Sequence, residues 1–164
     1  MGMDLTAEEI TIWKELEKIV DPEIPALSLV EMKVIREVII DESGVTVLFS
    51  PTFVGCPATS AMLEEIRERL RLLGYERVKI ETTFSPPWST DMLSDAVKEK
   101  MRIFGIAPPP RENGDLQAAL AKPVSCPFCG SEETRQENPF GPTLCRQIYY
   151  CSSCKQSFER FKPL

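Results

Sequence analysis

The chain contains no histidine. That absence removes the commonest general base and the Cys–His nucleophile pair. A soft-metal site here must therefore be built from thiolates. Long apolar runs are missing too: nowhere in the 164 residues is there a stretch of the roughly 18 apolar residues that suggests a membrane span. The start, Met1-Gly2-Met3-Asp4, has neither the basic opening nor the apolar segment of a secretory signal. The expected location is the cytoplasm, where thiols stay reduced and Cys-x-x-Cys pairs read as metal ligands rather than disulfides. Positive charge is in deficit, with 19 Lys and Arg against 25 Asp and Glu. No half of the chain carries the basic footprint of a nucleic-acid binder.

What is present is enough apolar content for a packed core, 43%, in a length that suits one medium domain plus a small metal-stapled one. The six cysteines divide one against five. Cys56 stands alone, while Cys126, Cys129, Cys145, Cys151 and Cys154 crowd the C-terminal region.

Thr6-Ala7-Glu8-Glu9 has the pattern of a capping box, and Ile10, Trp13, Leu16 and Val20 follow at helical spacing. The spacing predicts a helix over 7–20, stopped by Asp21-Pro22. Val34 to Ile40 and Val45 to Phe49 read as a hairpin around Asp41-Glu42-Ser43-Gly44. Ala58, Met62, Ile66, Leu70 and Leu73 mark a second helix that Gly74 ends. Arg77 to Thr83 is a third strand, and a helix near 91–104 closes at Gly105. Trp88, in a rigid Pro-Pro-Trp loop, is expected in the core. The order α-β-β-α-β-α predicts an α+β fold, a small mixed sheet with helices packed on it. Three consecutive prolines open a linker over 107–123. The expected domains are thus 1–106, and a β-rich cysteine module over 124–164.

Cys126-Pro-Phe-Cys129 and Cys151-Ser-Ser-Cys154 are two knuckles with 21 residues between them, slightly beyond the usual spacing of about 15–20 for a ribbon. Two such turns make a tetrahedral four-sulfur site, which suits structural Zn²⁺ and also accepts iron. Four protein ligands leave no open position for hydrolysis. Cys145 is the spare: a small buried side chain on a strand, or a fifth thiol that exchanges into the site. Arg146 beside it is a candidate to pair with a carboxylate on a client.

Cys56 follows Gly55 and precedes Pro57, which is expected at the first helical position. That arrangement puts Cys56 at a helix N-terminus, where a thiolate is stabilised; an inert buried cysteine is the competing reading. Asp21-Pro22-Glu23-Ile24-Pro25 is either a stiff turn with Asp21 capping backbone or a carboxylate brought beside Cys56.

Asp21-Pro22-Glu23-Ile24-Pro25, Pro51-Thr52-Phe53-Val54-Gly55-Cys56-Pro57, Pro86-Pro87-Trp88-Ser89-Thr90-Asp91 and Gly105-Ile106-Ala107-Pro108-Pro109 occur in this order. Together with Phe140-Gly141-Pro142-Thr143-Leu144-Cys145 ahead of Cys151, they resemble the PaaD (PaaJ) family of phenylacetate-degradation proteins. The N-terminal part is similar to SufT-like iron–sulfur assembly factors. The resemblance implies an accessory protein, not an enzyme, that assembles or inserts an iron–sulfur cluster for the phenylacetyl-CoA epoxidase (monooxygenase) system, with the iron–sulfur reductase as first partner. It maps the reactive cysteine onto Cys56, neighbouring motif residues onto Asp21 and Thr52, and the ribbon ligands onto Cys126, Cys129, Cys151 and Cys154. The stretch Glu31-Met32-Lys33 departs from the family, with Lys33 where a glycine turns left-handed.

One cysteine cannot hold a cluster alone, because such clusters usually take four protein ligands. A carrier of transient iron or cluster must bridge two copies, share client ligands or use Cys145, so the working state is expected to be a homodimer or client complex. The alternative is an adaptor that docks and stabilises the oxygenase or reductase without carrying a cluster. A thiol enzyme ranks below both for want of a base, and a nucleic-acid or membrane partner is not expected.

Overall fold

The computed structural model describes residues 6–111 and 115–164. The chain forms two compact units, Met1–Trp88 and Ser89–Leu164.

The first unit opens with helix α1 (Ala7–Leu16). The capping box is present: Thr6 Oγ1 accepts from the Glu9 N–H at 3.2 Å, and Glu9 Oε2 accepts from the Thr6 N–H at 2.7 Å. The helix ends four residues before the expected stop. The β-branched Ile19 and Val20 leave it for an extended path, and Val20 forms an isolated antiparallel bridge with Ser28. The buried stripe is also rotated from the expected one: Ile12, Leu16 and Ile19 enter the core, whereas Ile10 and Val20 are exposed.

Strands β1 (Ile35–Asp41) and β2 (Gly44–Phe49) form the expected antiparallel hairpin, and β3 (Val78–Thr82) joins β2 in parallel. The sheet order is β1-β2-β3. A mixed sheet of this kind needs a crossover, and helix α2 (Thr59–Leu72) supplies it. Its Met62, Ile66 and Leu70 are buried as the periodicity requires, together with Val45, Val47 and Phe49 of β2. Gly74, at φ +97°, ends α2 in a Schellman motif: Tyr75 N–H bonds to Leu70 O and Gly74 N–H to Arg71 O. In β1, Ile35 pairs with Phe49 but Glu37 pairs with Leu48, so Arg36 is an extra residue in a β-bulge.

The second unit begins with a 3-10 turn (Thr90–Met92) and helix α3 (Asp95–Ile103), which Ser94 caps. One helix over 91–104 is thus replaced by a turn and a shorter helix, because Leu93 is extended between them. Strand β4 (Ile106–Ala107) follows Gly105 and runs parallel to β7 (Ser157–Phe161). The expected linker therefore begins inside a strand, and it also holds helix α4 (Leu116–Ala121), whose Ala119 is buried. Strands β5 (Thr134–Asn138) and β6 (Arg146–Cys151) complete a sheet of order β4-β7-β6-β5. Its core joins Ala107, Val124, Tyr149 and Phe158 to Cys126 and Cys151. No described helix is long and apolar enough to cross a membrane.

Candidate metal centre and the Cys56 loop

The two knuckles have matching backbones. In the first, the Gly130 N–H bonds to Cys126 O at 2.9 Å and the Cys126 N–H to Ser131 O at 2.9 Å. In the second, the Lys155 N–H bonds to Cys151 O at 3.0 Å and the Cys151 N–H to Gln156 O at 2.9 Å. Gly130 and Lys155 both sit at positive φ, +75° and +61°. These turns bring the sulfurs of Cys126, Cys129, Cys151 and Cys154 within 4.8 Å of one another. Cys126 Sγ lies 3.7 Å from Cys154 Sγ, and Cys129 Sγ lies 3.6 Å from Cys151 Sγ. A tetrahedral ion with Zn–S bonds of about 2.3 Å requires sulfurs about 3.8 Å apart. The donor set and its spacing fit such an ion, and the distances are far too long for disulfides.

Backbone holds the arrangement. The Cys154 N–H, helped by that of Ser153, pulls the Cys151 thiol down to about 7, against the opposing effect of burial. Burial, together with bonds to the neighbouring thiols, pushes Cys154 up to about 12. Four sulfurs this close cannot all carry charge unless a cation compensates them. Two contacts not foreseen from the sequence brace the knuckles: Thr134 Oγ1 at the start of β5 donates to Val124 O, just ahead of the first knuckle, at 2.6 Å, and the Ser152 N–H of the second bonds to Glu133 O, just ahead of β5, at 2.8 Å. A threonine on a polar edge strand gives no sequence signal for this.

Cys145 does not join the tetrad. It lies just before β6 and Cys151 lies at the other end, six residues or about 20 Å along a strand. Its Sγ is 3.2 Å from Thr143 Oγ1, so exchange of a fifth thiol into the tetrad is ruled out by distance in this fold. Arg146, expected to reach a client, is instead buried and paired with Glu159 of the neighbouring strand.

In the first unit, Cys56 is half-buried on the loop from β2 to α2. The Thr59 N–H bonds to Cys56 O at 3.1 Å, a lead-in turn that holds Pro57 outside the helix. The N-cap is Ala58, with no side-chain cap. Cys56 is therefore two residues short of the cap position expected for it. Gly55, at φ +84°, lets the loop double back, with Phe53 and Val54 exposed at its tip.

The Ser28–Val34 turn and the Thr83–Trp88 loop meet the same edge of the sheet. Phe49 and Thr82 are paired at the C-terminal ends of the parallel strands, and the Thr83 N–H bonds to Phe49 O. The Ser50 N–H bonds to Val34 O at 2.7 Å. Residues 28–34 form a hydrogen-bonded turn in which the Met32 N–H bonds to Ser28 O at 3.0 Å. Ser28 and Glu31 exchange cap hydrogen bonds at its start, and it closes with the Val34 N–H on Leu29 O and the Lys33 N–H on Val30 O. Lys33, at φ +58°, occupies the left-handed position that the glycine substitution puts in question. Trp88, buried as expected, donates from Nε1 to Met32 O at 2.7 Å, and Arg36 Nη2 donates to Pro86 O at 3.0 Å. The Asp21 turn is pinned by the Asp21 N–H on Leu27 O. Asp21 Oδ1 accepts the N–H groups of Glu23 and Ile24 at 2.7 and 2.9 Å, the backbone-capping role. A groove of about 320 Å³ has Val20 and Pro22 on one side and Ala61 and Met62 of α2 on the other. The Asp21 turn and the helix that Cys56 leads into thus share a cleft. Thr52 is half-buried on the Cys56 loop.

Residues 9–82 match the iron–sulfur cluster assembly protein family, and residues 110–162 match the PaaD zinc beta ribbon domain. A protein of Escherichia coli named as one of the subunits of 1,2-phenylacetyl-CoA epoxidase is 36% identical over 151 residues, covering 92% of this chain and 90% of that one. A protein of Porphyromonas gingivalis named as an Fe-S protein maturation auxiliary factor is 33% identical, over 58% of this chain and 91% of its own. The maturation auxiliary factor SufT of Staphylococcus aureus is 28% identical, over 49% and 92%. Among solved structures, a DUF59 domain from Bacillus anthracis superimposes with a TM-score of 0.51 at 23% identity, covering 56% of this chain and 89% of that domain. That likeness bears on the fold alone.

Proposed function

The chain belongs to the PaaD family, in which an iron–sulfur assembly domain precedes a zinc ribbon, and from that premise we propose that it is a non-catalytic accessory protein for the phenylacetyl-CoA epoxidase system. Its task in this reading is to assemble an iron–sulfur cluster or insert it into a client, the iron–sulfur reductase component first. The work is done in the cytoplasm, without nucleic acid or membrane, and in a homodimer or client complex.

The observation that carries the reading is the convergence of the Cys56 loop, the Ser28–Val34 turn and the Thr83–Trp88 loop at the carboxyl ends of β2 and β3. Ligands bind at such edges of α/β sheets. Cys56 is the sulfur that receives iron or cluster as cargo. Thr52 lies on its loop, and Asp21 holds a turn that shares a cleft with the helix Cys56 leads into. Because one thiolate falls short of the four ligands a cluster takes, the remaining ligands come from the client, a second copy or Cys145. In the ribbon, Cys126, Cys129, Cys151 and Cys154 hold zinc, which supplies the folding energy a core of this size lacks.

The test is metal and sulfide content after anaerobic purification of the wild type and Cys56→Ser side by side. About one zinc in both, the stoichiometry of a single four-sulfur site, with iron and sulfide in the wild type alone, supports the carrier. Zinc in both and iron in neither favours the adaptor reading, for which the exposed Phe53 and Val54 at the loop tip offer a docking point.

A further inference from the structure

The four sulfurs of the tetrad are not equivalent. Cys151 and Cys126 are 0% and 2% exposed and belong to the apolar core of the second unit, and Cys154 packs against that core. Cys129 is exposed and lies outside the core. The chain beyond it is open as well: a Cβ on Gly130 would meet nothing within 4 Å. Its neighbour Phe128 is half exposed, with the ring edge against Gly105.

We propose that Cys129 is the ligand through which the ribbon's metal is exchanged, and that a low-molecular-weight thiol is the incoming group. The inference rests on the reading of the tetrad as a metal site. In the exchange, the incoming sulfur forms a bond to the ion as the bond from the ion to Cys129 Sγ breaks. The proton of the incoming thiol passes to the released Cys129 sulfur, so no oxidant or reductant is needed. Cys126, Cys151 and Cys154 keep the ion seated meanwhile, because each is held by core packing that Cys129 lacks. The tetrad is thereby a closed site with one solvent-exposed ligand.

Wild-type full-length protein loaded with zinc is treated with limiting iodoacetamide, in which the sulfur displaces iodide from the methylene carbon. Alkylated cysteines are located by peptide mass spectrometry, and freed zinc is read with a chromophoric chelator. Among the tetrad, Cys129 is expected to be modified first, and zinc to pass to the chelator faster from protein alkylated at Cys129 than from unmodified protein. Glutathione is expected to speed transfer of zinc to the chelator in the unmodified protein. Modification of Cys126, Cys151 or Cys154 ahead of Cys129, or transfer indifferent to glutathione, overturns the proposal while leaving the metal site standing. A protein that binds no zinc overturns the metal reading itself. Neither measurement needs a variant that has to fold.

Discussion

Lys155 occupies in the second knuckle the left-handed backbone position that Gly130 occupies in the first. A side chain at positive φ costs about 1–2 kcal/mol relative to glycine. Lys155→Gly should therefore raise the stability of the metal-loaded ribbon by about 1 kcal/mol, and Gly130→Ala should lower it by a similar amount. Lys33, at φ +58°, predicts the same gain for Lys33→Gly in the first unit. Denaturant midpoints check all three. A loss on Lys33→Gly would mean that its side chain supports the Ser28–Val34 turn.

Gly44 is a different case. A Cβ there would stand 2.2 Å from Arg77 O, which accepts the Val45 N–H. Gly44→Ala should destabilise the first unit by about 2–3 kcal/mol through backbone strain at the hairpin. Thermal denaturation would show it as a drop in Tm.

Ser50 is fully buried at the end of β2, and its Oγ makes no hydrogen bond to any described residue. Removing an unsatisfied hydroxyl should be neutral or stabilising, by up to about 1 kcal/mol in Ser50→Ala. A clear loss in urea unfolding would show that the hydroxyl is in use, by an ordered water or by cargo.

Removing the metal should unfold the ribbon and spare the first unit. Hydrogen exchange after chelation is expected to lose protection in β5, β6 and β7 while α1, α2 and β1–β3 keep theirs. The pKa values of Cys151 and Cys154 fix the sign of the pH dependence. Zinc displaces the thiol protons. Cys154, pushed up to about 12, holds its proton at neutral pH, so zinc affinity should fall with decreasing pH across the whole range. It should fall more steeply once pH drops through about 7, where Cys151 takes up its proton. Competition with a chelator between pH 8 and 6 measures this. Affinity that is flat or rises on acidification contradicts it.

The paired Arg146 and Glu159 should matter more than a surface pair. Glu159→Gln should cost about 2 kcal/mol because Arg146 is buried. Glu81→Gln, which breaks an exposed pair with Lys79, should cost under about 1 kcal/mol. Parallel urea titrations separate the two.

Much of this was legible in residue order. Thr6-x-x-Glu9 fixed the start of α1, Met62, Ile66 and Leu70 set the buried face of α2, and the knuckle spacing foretold the tetrad. What failed did so where tertiary pairing outranks local pattern. Ile19 and Val20 satisfy helical spacing, yet the bridge from Val20 to Ser28 draws them out of α1. Ile106–Ala107 is too short to show a period and becomes a strand only because β7 lies beside it. Pro57 has the right chemistry for a helix start, but the preceding turn through Cys56 displaces that start by two residues. Arg146 reads as a surface cation until Glu159 is seen on the adjacent strand.

The bulge at Arg36 changes the phase of β1. Without it, Arg36 would oppose Phe49, and Ile35 would fall on the outer face of the sheet. The added residue shifts the alternation by one, which returns Ile35 to the interior, where it is 2% exposed. Val34 and Ile35 direct their N–H groups to Leu29 O, so the whole Ser28–Val34 turn inherits that phase. One supernumerary residue in a strand thus sets the side from which an entire loop approaches Cys56's edge of the sheet. Deleting Arg36 would leave the hairpin pairing regular while removing the guanidinium that holds Pro86 O, severing fold from loop placement in a single step.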